Sequence, residues 1–157
     1  LILAHWLSGG SLWEKIRTKG GAYGSYANCA NMLGKFMFGT YRDPNPNKSV
    51  NIFDECLLEA SNTLLDKEEL QRLITGTYGD EVQPNSPLSR GNIGFNRTLS
   101  CVTQKDKIAK MQNILNATPE QIRDAAKRIY NEQNSKRTVV ICDKSQKNTG
   151  VIIELPL

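Results

Sequence analysis

The amino-acid sequence predicts an α+β fold in which helices pack on one face of an antiparallel sheet. Two segments with strand-like alternation lie early in the chain, at 22–30 and 35–42. From 50 to about 130, apolar residues instead recur at helical spacing, and a short β-branched run follows at 137–142. Strands at both ends of a helical block, without regular β–α–β alternation, are typical of the α+β class.

The composition is that of one globular domain. With 157 residues, of which 39% are apolar and 23% charged, residues 1–157 are expected to form a single domain. The net charge of +4 is modest, and the basic residues are spread among acidic ones. A nucleic-acid groove is therefore a weak interpretation. No apolar run reaches the length of a membrane span, so no membrane partner is expected. The chain opens on Leu1 rather than Met, which we interpret as a fragment whose targeting signals are not readable.

Two helices and a hairpin are predicted in the first 42 residues. A short helix covers Leu1–Ser8, and Ser11 with Glu14 has the spacing of a capping box for the next one. Gly20 is expected to end that helix in the left-handed conformation. Two strands, Ala22–Ala30 and Lys35–Arg42, then pair across a turn. In the first strand one set of alternate side chains shares a face: Tyr23, Ser25, Ala27 and Cys29.

The rest of the chain is predicted as helices followed by strands. Ser49 is expected to cap a helix, Asp66 with Glu69 to form a capping box, and Thr118 with Pro119 to begin the last helix. The predicted helices are Val50–Leu64, a segment from Asp66 to the proline-rich 83–87, Leu88–Thr103, Asp106–Leu115, and a segment after Thr118. The predicted strands are Arg137–Cys142 and Val151–Leu155.

Cysteine and histidine content restricts the metal chemistry. The cysteines are Cys29, Cys56, Cys101 and Cys142, too widely spaced for a metal or redox motif. Reduced, mostly buried thiols are expected, and a disulfide between two of them stays open. His5 is the only histidine, and a core or rim position fits it better than metal ligation. One histidine cannot build a His-x-x-Glu-His site, so we expect no metal ligands in this chain.

The most distinctive stretch runs from Leu12 to Gly24 and reads Leu-Trp-Glu-Lys-Ile-Arg-Thr-Lys-Gly-Gly-Ala-Tyr-Gly. We call residues 17–24 the glycine corner, because a helix is predicted to end there and a strand to begin. Simple explanations exist for its polar residues: cations are favoured in a last helical turn, and a strand tyrosine usually packs. The glycine spacing does not match a phosphate-binding loop.

This stretch resembles the signature in the C-terminal half of the pitrilysin (insulinase-like) zinc metallopeptidases. It is most similar to the branch that contains the presequence proteases and falcilysin. About a dozen positions in this stretch carry the resemblance specifically, although the downstream pattern of hairpin, proline-rich loop and helices also fits. The resemblance implies a pitrilysin/LuxS-like α/β roll that lacks its N-terminal strands in this chain.

The resemblance also implies roles for individual residues. Arg17 and Tyr23 would be the catalytic residues, orienting the substrate and stabilising the oxyanion that forms on the peptide carbonyl. Lys19, Gly20, Gly21 and Ala22 would shape the substrate-binding corner. Zinc would be held by the N-terminal half of the same polypeptide, the substrates would be unstructured peptides, and the isolated fragment would be inactive. The location would be the cytoplasm or an organelle matrix.

Two other functions stay open on the sequence. Some halves of this fold act as non-catalytic scaffolds, in which case the glycines would serve packing and Arg17 would only interact with the helix dipole. A nucleic-acid-binding module is the more remote alternative and rests only on the basic balance. A fragment with an unpaired sheet edge could also form a homodimer through that edge.

Overall fold

The computed structural model describes residues 1–30, 33–132 and 135–142. Its elements, in chain order, are α1 (Ile2–Gly9), a π-helix (Trp13–Thr18), β1 (Gly24–Ala30), β2 (Lys35–Tyr41), α2 (Pro46–Asn62), α3 (Lys67–Glu81), α4 (Pro87–Leu99), α5 (Gln104–Leu115) and α6 (Pro119–Asn131). Helices predominate and the strands form one two-stranded antiparallel sheet. The predicted α+β class is confirmed.

The hairpin pairs β1 with β2 in an antiparallel arrangement, as predicted. Gly24 lies opposite Tyr41 at one end, and Ala30 lies opposite Lys35 at the other. Along each strand, successive side chains point alternately to the core and to the outside, and side chains directly opposite each other share a face. The core-facing side includes Ala27, Phe36 and Phe38. The outer side includes Tyr26, Met37 and Tyr41, all exposed.

Helices cover the inner face of the hairpin. The ring of Phe38 stacks on that of Phe53 in α2, with centroids 4.9 Å apart. Behind this layer, the largest fully buried side chains are Leu12, Ile16, Cys56 and Leu73. They come from the segment before the hairpin and from α2 and α3, so the hairpin, the π-helix and the helical layer share one core.

The side-chain hydroxyl of Ser8, in α1, occupies the outer edge of β1. The Ser8 hydroxyl accepts the Ala27 N–H at 2.8 Å and lies 3.2 Å from the Ala27 carbonyl oxygen. It also donates to the Ala4 carbonyl of its own helix at 2.7 Å. Because the Ala27 backbone groups bond to Ser8, they are unavailable to another strand, which protects this edge.

The helix starts follow the predicted caps in two places and depart from them in a third. Thr118 begins the last helix as predicted, with a full capping box to Gln121. Asp66 accepts the Glu69 N–H, but the predicted capping box forms only this half, because the Glu69 carboxylate bonds to Arg72. Ser49 is not a cap, since α2 begins at Pro46 and Ser49 lies inside it, 4% exposed. Proline favours the first turn of a helix, where its missing N–H costs nothing.

The strand predicted at Arg137–Cys142 is wrong. These residues adopt no regular structure, and Val139 and Ile141 are 86% and 84% exposed. β-branched composition favours a strand only where a neighbouring strand supplies hydrogen bonds and packing. In the described ranges no strand lies beside this segment. The second predicted strand, Val151–Leu155, lies outside the described residues.

The expectation that most thiols are buried is wrong for half of them. Cys56 is buried and Cys29 is half-buried, whereas Cys101 and Cys142 are exposed. Burial raises the pKa of the Cys56 thiol, against smaller opposing effects from Ser11 and Lys15.

None of the helices in the described part of the chain is long and apolar enough to span a bilayer.

Replacing Ser8 should weaken the junction between α1 and β1. In Ser8→Ala the Ala27 N–H loses its partner in a partly buried site, so we expect the free energy of unfolding to fall by about 1–2 kcal/mol. Urea denaturation followed by circular dichroism measures this loss. Ser100→Ala, at an exposed helix end, is the control and should change stability by less than about 0.5 kcal/mol. Equal effects from the two variants would contradict the bridging role of Ser8.

The thiols should differ sharply in reactivity. Since the thiolate is the nucleophile, burial and the raised pKa of Cys56 both slow its alkylation, and we expect Cys101 to react roughly 100-fold faster in the folded chain. Iodoacetamide labelling followed by peptide mass spectrometry gives both rates. Adding urea should bring the two rates together. Comparable rates without urea would show that Cys56 is not held in the core.

Candidate functional site

The segment before the glycine corner is a π-helix rather than an α-helix. Its defining bond joins the Lys19 N–H to the Glu14 carbonyl, five residues earlier, at 3.0 Å. The predicted capping box of Ser11 and Glu14 is wrong, because the Glu14 N–H bonds to the Gly10 carbonyl and Ser11 already lies in the helix. π-turns occur mostly as short insertions and are frequent at functional sites.

Two nested backbone bonds close the corner. The Gly21 N–H donates to the Arg17 carbonyl, and the Ala22 N–H donates to the Ile16 carbonyl, both at 3.1 Å. This resembles a Schellman helix end in which each bond spans one residue more than usual. Since Ile16 is fully buried and Ala22 is 4% exposed, both ends of the longer bond are fixed in the core.

The two glycines of the corner have different roles. Gly20 was predicted to be left-handed, which is wrong: the positive φ of 81° belongs to Gly21. Gly20 is required for a steric reason, because a Cβ there would lie 2.5 Å from the Ile16 carbonyl oxygen. Gly21 lies against the loop after β2, where an added Cβ would lie 3.6 Å from Pro44. The predicted substrate-binding glycines are therefore needed for the fold of the corner itself.

Arg17 is held by an aromatic ring one turn earlier. Its guanidinium carbon lies 3.8 Å from the centroid of the Trp13 ring, a cation–π contact at i and i+4. Arg17 is half-buried and Trp13 is 46% exposed. The contact occupies the face of the guanidinium, so the N–H groups at its edge remain oriented in the plane. Trp13 was missed by sequence reasoning, although its spacing to Arg17 carried the signal.

Tyr23 lies at the start of the hairpin with its ring 65% exposed. Its N–H donates to the Tyr41 carbonyl at 3.1 Å and lies 3.3 Å from the Arg42 carbonyl oxygen. Tyr41 is also opposite Gly24, so two residues of the first strand face one of the second, as in a β-bulge. The prediction that Tyr23 shares a face with Ala27 is therefore wrong, because the Tyr23 ring contacts Tyr41 on the outer side.

A second cluster forms around Tyr23. The rings of Tyr23 and Tyr41 meet edge to face, with centroids 6.0 Å apart. The guanidinium carbon of Arg42 lies 5.9 Å from the first ring and 5.5 Å from the second. Arg42 has a positive φ of 48°, which is uncommon for a residue other than glycine. Sequence reasoning missed Tyr41 and Arg42 as site residues, because their proximity depends on the strand register.

The structure places the two predicted catalytic residues at opposite ends of the corner. Arg17 contacts Trp13, and Tyr23 contacts Tyr41 and Arg42; within the described residues no contact joins Arg17 to Tyr23. Neither side chain lies in the core. The corner and the adjoining end of β2 therefore present two cationic and two phenolic groups at the surface, with Arg17 separated from the others by the glycine backbone.

Lys19 is paired within its own segment. Its ammonium group lies 2.7 Å from a Glu14 carboxylate oxygen, and both side chains are exposed. This hydrogen bond lowers the pKa of Glu14 below its usual value. Lys15 pairs in the same way with Glu59 of α2, and that bond raises the pKa of Lys15. The charges beside the corner are thus largely compensated, which leaves Arg17 and Arg42 as its main cations.

The zinc that the resemblance implies does not fit the described residues. No group of three or more histidine, cysteine, aspartate or glutamate side chains there could hold a metal ion. His5 is engaged elsewhere, with Nδ1 3.2 Å from an Asp80 carboxylate oxygen. Its ring also occupies the space beside Gly76 of α3.

Comparison with protein families decides the relationship. The family model described as "PreP C-terminal domain" matches residues 1–145. The chain belongs to the PreP C-terminal domain family. The match covers the glycine corner, the hairpin and α2–α6, so the family relationship extends well beyond the short motif.

Relatives of this PreP C-terminal domain are much longer proteins. Presequence protease 1, chloroplastic/mitochondrial, of Arabidopsis thaliana is 30% identical over 128 residues, covering 82% of this chain and 12% of the relative. The mitochondrial presequence protease of Drosophila melanogaster is 33% identical, covering 85% and 13%. That of Gibberella zeae is 34% identical, covering 81% and 12%. The chain thus spans about one eighth of the length of these relatives.

Gly20 of this PreP C-terminal domain should not tolerate a methyl group. Gly20→Ala brings Cβ against the Ile16 carbonyl, so we expect the free energy of unfolding to fall by about 1–3 kcal/mol. Gly9→Ala is the matched control, because an added Cβ there meets nothing within 4 Å. It should be neutral or stabilising by up to about 1 kcal/mol, as alanine favours helix. Urea denaturation distinguishes them; similar shifts would show that the corner yields to the added methyl.

Proposed function

We propose that this chain is the C-terminal, substrate-binding and transition-state-assisting part of a zinc-dependent metalloendopeptidase that degrades oligopeptides. The observation that carries the proposal is the exposed Tyr23 side chain. The backbone hydrogen bonds of Tyr23 fix its position at a corner that also presents Arg17. The names of the relatives support a peptidase, since the Arabidopsis and Drosophila proteins are called presequence proteases.

The chemistry follows from what these two side chains can donate. Hydrolysis of a peptide bond places negative charge on the carbonyl oxygen, and preoriented donors lower the barrier. Arg17 carries a permanent charge and in-plane N–H donors, and Trp13 limits its rotation. Tyr23 supplies a neutral O–H donor from the other end of the corner. The two would contact one carbonyl, or two successive ones, of a peptide lying across the glycines.

The glycine backbone would let that peptide approach closely. Gly20 and Gly21 have no side chain to separate the substrate from the main chain, and Gly21 is exposed. Ala22 is buried, so its role in the predicted binding set would be limited to its backbone. Lys19 would act through its electrostatic field, because its ammonium group is paired with Glu14.

The metal and the remaining binding surface would come from elsewhere in the polypeptide. Zinc would be held by an N-terminal half that this chain does not include, and the partners would be that half and unstructured peptides. On this proposal the isolated chain is inactive. A cytoplasmic or organelle-matrix location is proposed, and the relatives named as mitochondrial or chloroplastic favour the organelle.

Conservative substitutions in the longer polypeptide test the proposal. Tyr23→Phe removes only the hydroxyl, and Arg17→Lys keeps the charge but removes the planar donors. Loss of one such donor costs roughly 100- to 1,000-fold in turnover, so we expect kcat for peptide hydrolysis to fall by about that factor. Because Tyr23 is exposed, its substitution should leave the unfolding midpoint unchanged. Peptide cleavage assays followed by mass spectrometry provide the rates.

Tyr26→Phe is the matched control for these variants. Tyr26 lies on the same strand, is 51% exposed and contacts Gly39 through its ring. It should retain nearly full turnover. A Tyr23→Phe enzyme that is as active as the Tyr26→Phe enzyme would remove Tyr23 from the mechanism. A parent protein that has no zinc and no peptidase activity would favour the scaffold function instead.

A further inference from the structure

Helix α4 carries an apolar stripe that faces solvent. No residue of α4 is buried, although Leu88, Phe95 and Leu99 are large and apolar. They are 76%, 64% and 67% exposed. Positions i, i+7 and i+11 lie on one face of a helix, so the three side chains form a continuous stripe. Asn92 lies on the same face, between Leu88 and Phe95. We call these four residues the α4 stripe.

The opposite face of α4 is basic and borders an open cleft. Arg90, Ile93, Gly94 and Arg97 recur at helical spacing and line a cleft of about 590 Å³ beside the end of α3. Lys107 of α5 lines the same cleft. In the described part of the chain, no carboxylate pairs with Arg90 or Arg97. A surface helix normally buries its apolar face and exposes its charged one, whereas α4 leaves both its apolar face and its basic face exposed.

We propose that the α4 stripe is a docking surface for an apolar protein surface elsewhere in the same, longer polypeptide. The proposal rests on the proposed function only in placing residues 1–157 within such a polypeptide. The region of each relative that matches this chain makes up about one eighth of that relative, so most of each relative lies outside the matched region. Docking would bury Leu88, Phe95 and Leu99 and would leave the basic face hydrated.

Asn92 favours a protein surface over a lipid surface as the partner. Its amide lies in the centre of the α4 stripe, where it would be buried together with the apolar side chains. Acyl chains offer no hydrogen bond to an amide, whereas a protein surface can supply a backbone carbonyl or N–H. A helix that lies on a membrane also needs a longer apolar face than three side chains provide.

The size of the α4 stripe favours an intramolecular partner over a second copy. A stable complex between separate proteins buries roughly 800 Å² per partner, more than three side chains and an amide can supply. Contacts within one polypeptide do not require this area, because the linkage supplies a high effective concentration. The same small stripe is therefore sufficient within one chain and insufficient for a dimer.

Hydroxyl-radical footprinting tests the docking directly. Side chains in chain 1–157 and in the longer polypeptide are labelled under the same conditions, and rates are read by mass spectrometry. We expect Phe95 and Leu99 to be labelled roughly fivefold more slowly in the longer polypeptide, because docking excludes water from them. Equal rates in both would overturn the proposal. So would protection that appears in chain 1–157 at high concentration, which indicates a second copy, or only with anionic phospholipid vesicles, which indicates a membrane.

A double substitution provides the second readout. Phe95→Ser/Leu99→Ser should leave the unfolding midpoint of chain 1–157 unchanged, since neither side chain is buried there, and should lower that of the longer polypeptide. Asn96→Ser, at an exposed position of α4 outside the α4 stripe, is the control and should change neither. A double variant that affects both forms equally would contradict docking. Neither readout requires peptidase activity, so failure here and failure of the proposed function are distinguishable.

Discussion

The burial of Ile16 is the constraint on which the rest of the site depends. Its side chain is fully enclosed in the core, so its carbonyl oxygen has a fixed position. That oxygen accepts the Ala22 N–H and excludes any side chain at Gly20. The π-turn, the corner and the start of the hairpin are therefore one unit. A shift in core packing at Ile16 would move Arg17 and Tyr23 together.

Aromatic contacts then restrict the two side chains that the fold presents. Trp13 restricts the guanidinium of Arg17, and Tyr41 with Arg42 surrounds the ring of Tyr23. Long side chains lose conformational entropy when they bind a ligand, and prior restriction reduces that loss. The neighbouring ammonium groups of Lys15 and Lys19 are paired with carboxylates, so they add little net charge at the surface. The corner is thus rigid and moderately cationic.

Sequence reasoning was most successful where structure is local. The caps at Asp66 and Thr118 and the hairpin depend on residues within a few positions of each other. It was wrong where distant packing decides. Nothing in the composition of Trp13–Thr18 distinguishes a π-turn from an α-turn. Tyr23 departs from strict alternation because both Tyr23 and Gly24 face Tyr41, which depends on the register with β2. The run at 137–142 has strand composition but no strand beside it.

The glycine corner and the α4 stripe are two exposed surfaces of different chemistry, which implies different partners. The corner and the adjoining end of the hairpin expose Tyr23 and Tyr41, whose hydroxyls can bond to a peptide backbone while their rings pack. The α4 stripe exposes aliphatic and phenyl groups around one amide. Phenol hydroxyls can bind a ligand that dissociates repeatedly, because they form hydrogen bonds with water when the ligand has left. Leucine and phenylalanine have no group that bonds to water, so their exposure costs free energy whenever the surface is uncovered. The chemistry of each surface therefore favours a transient peptide at the corner and a permanent protein contact at α4.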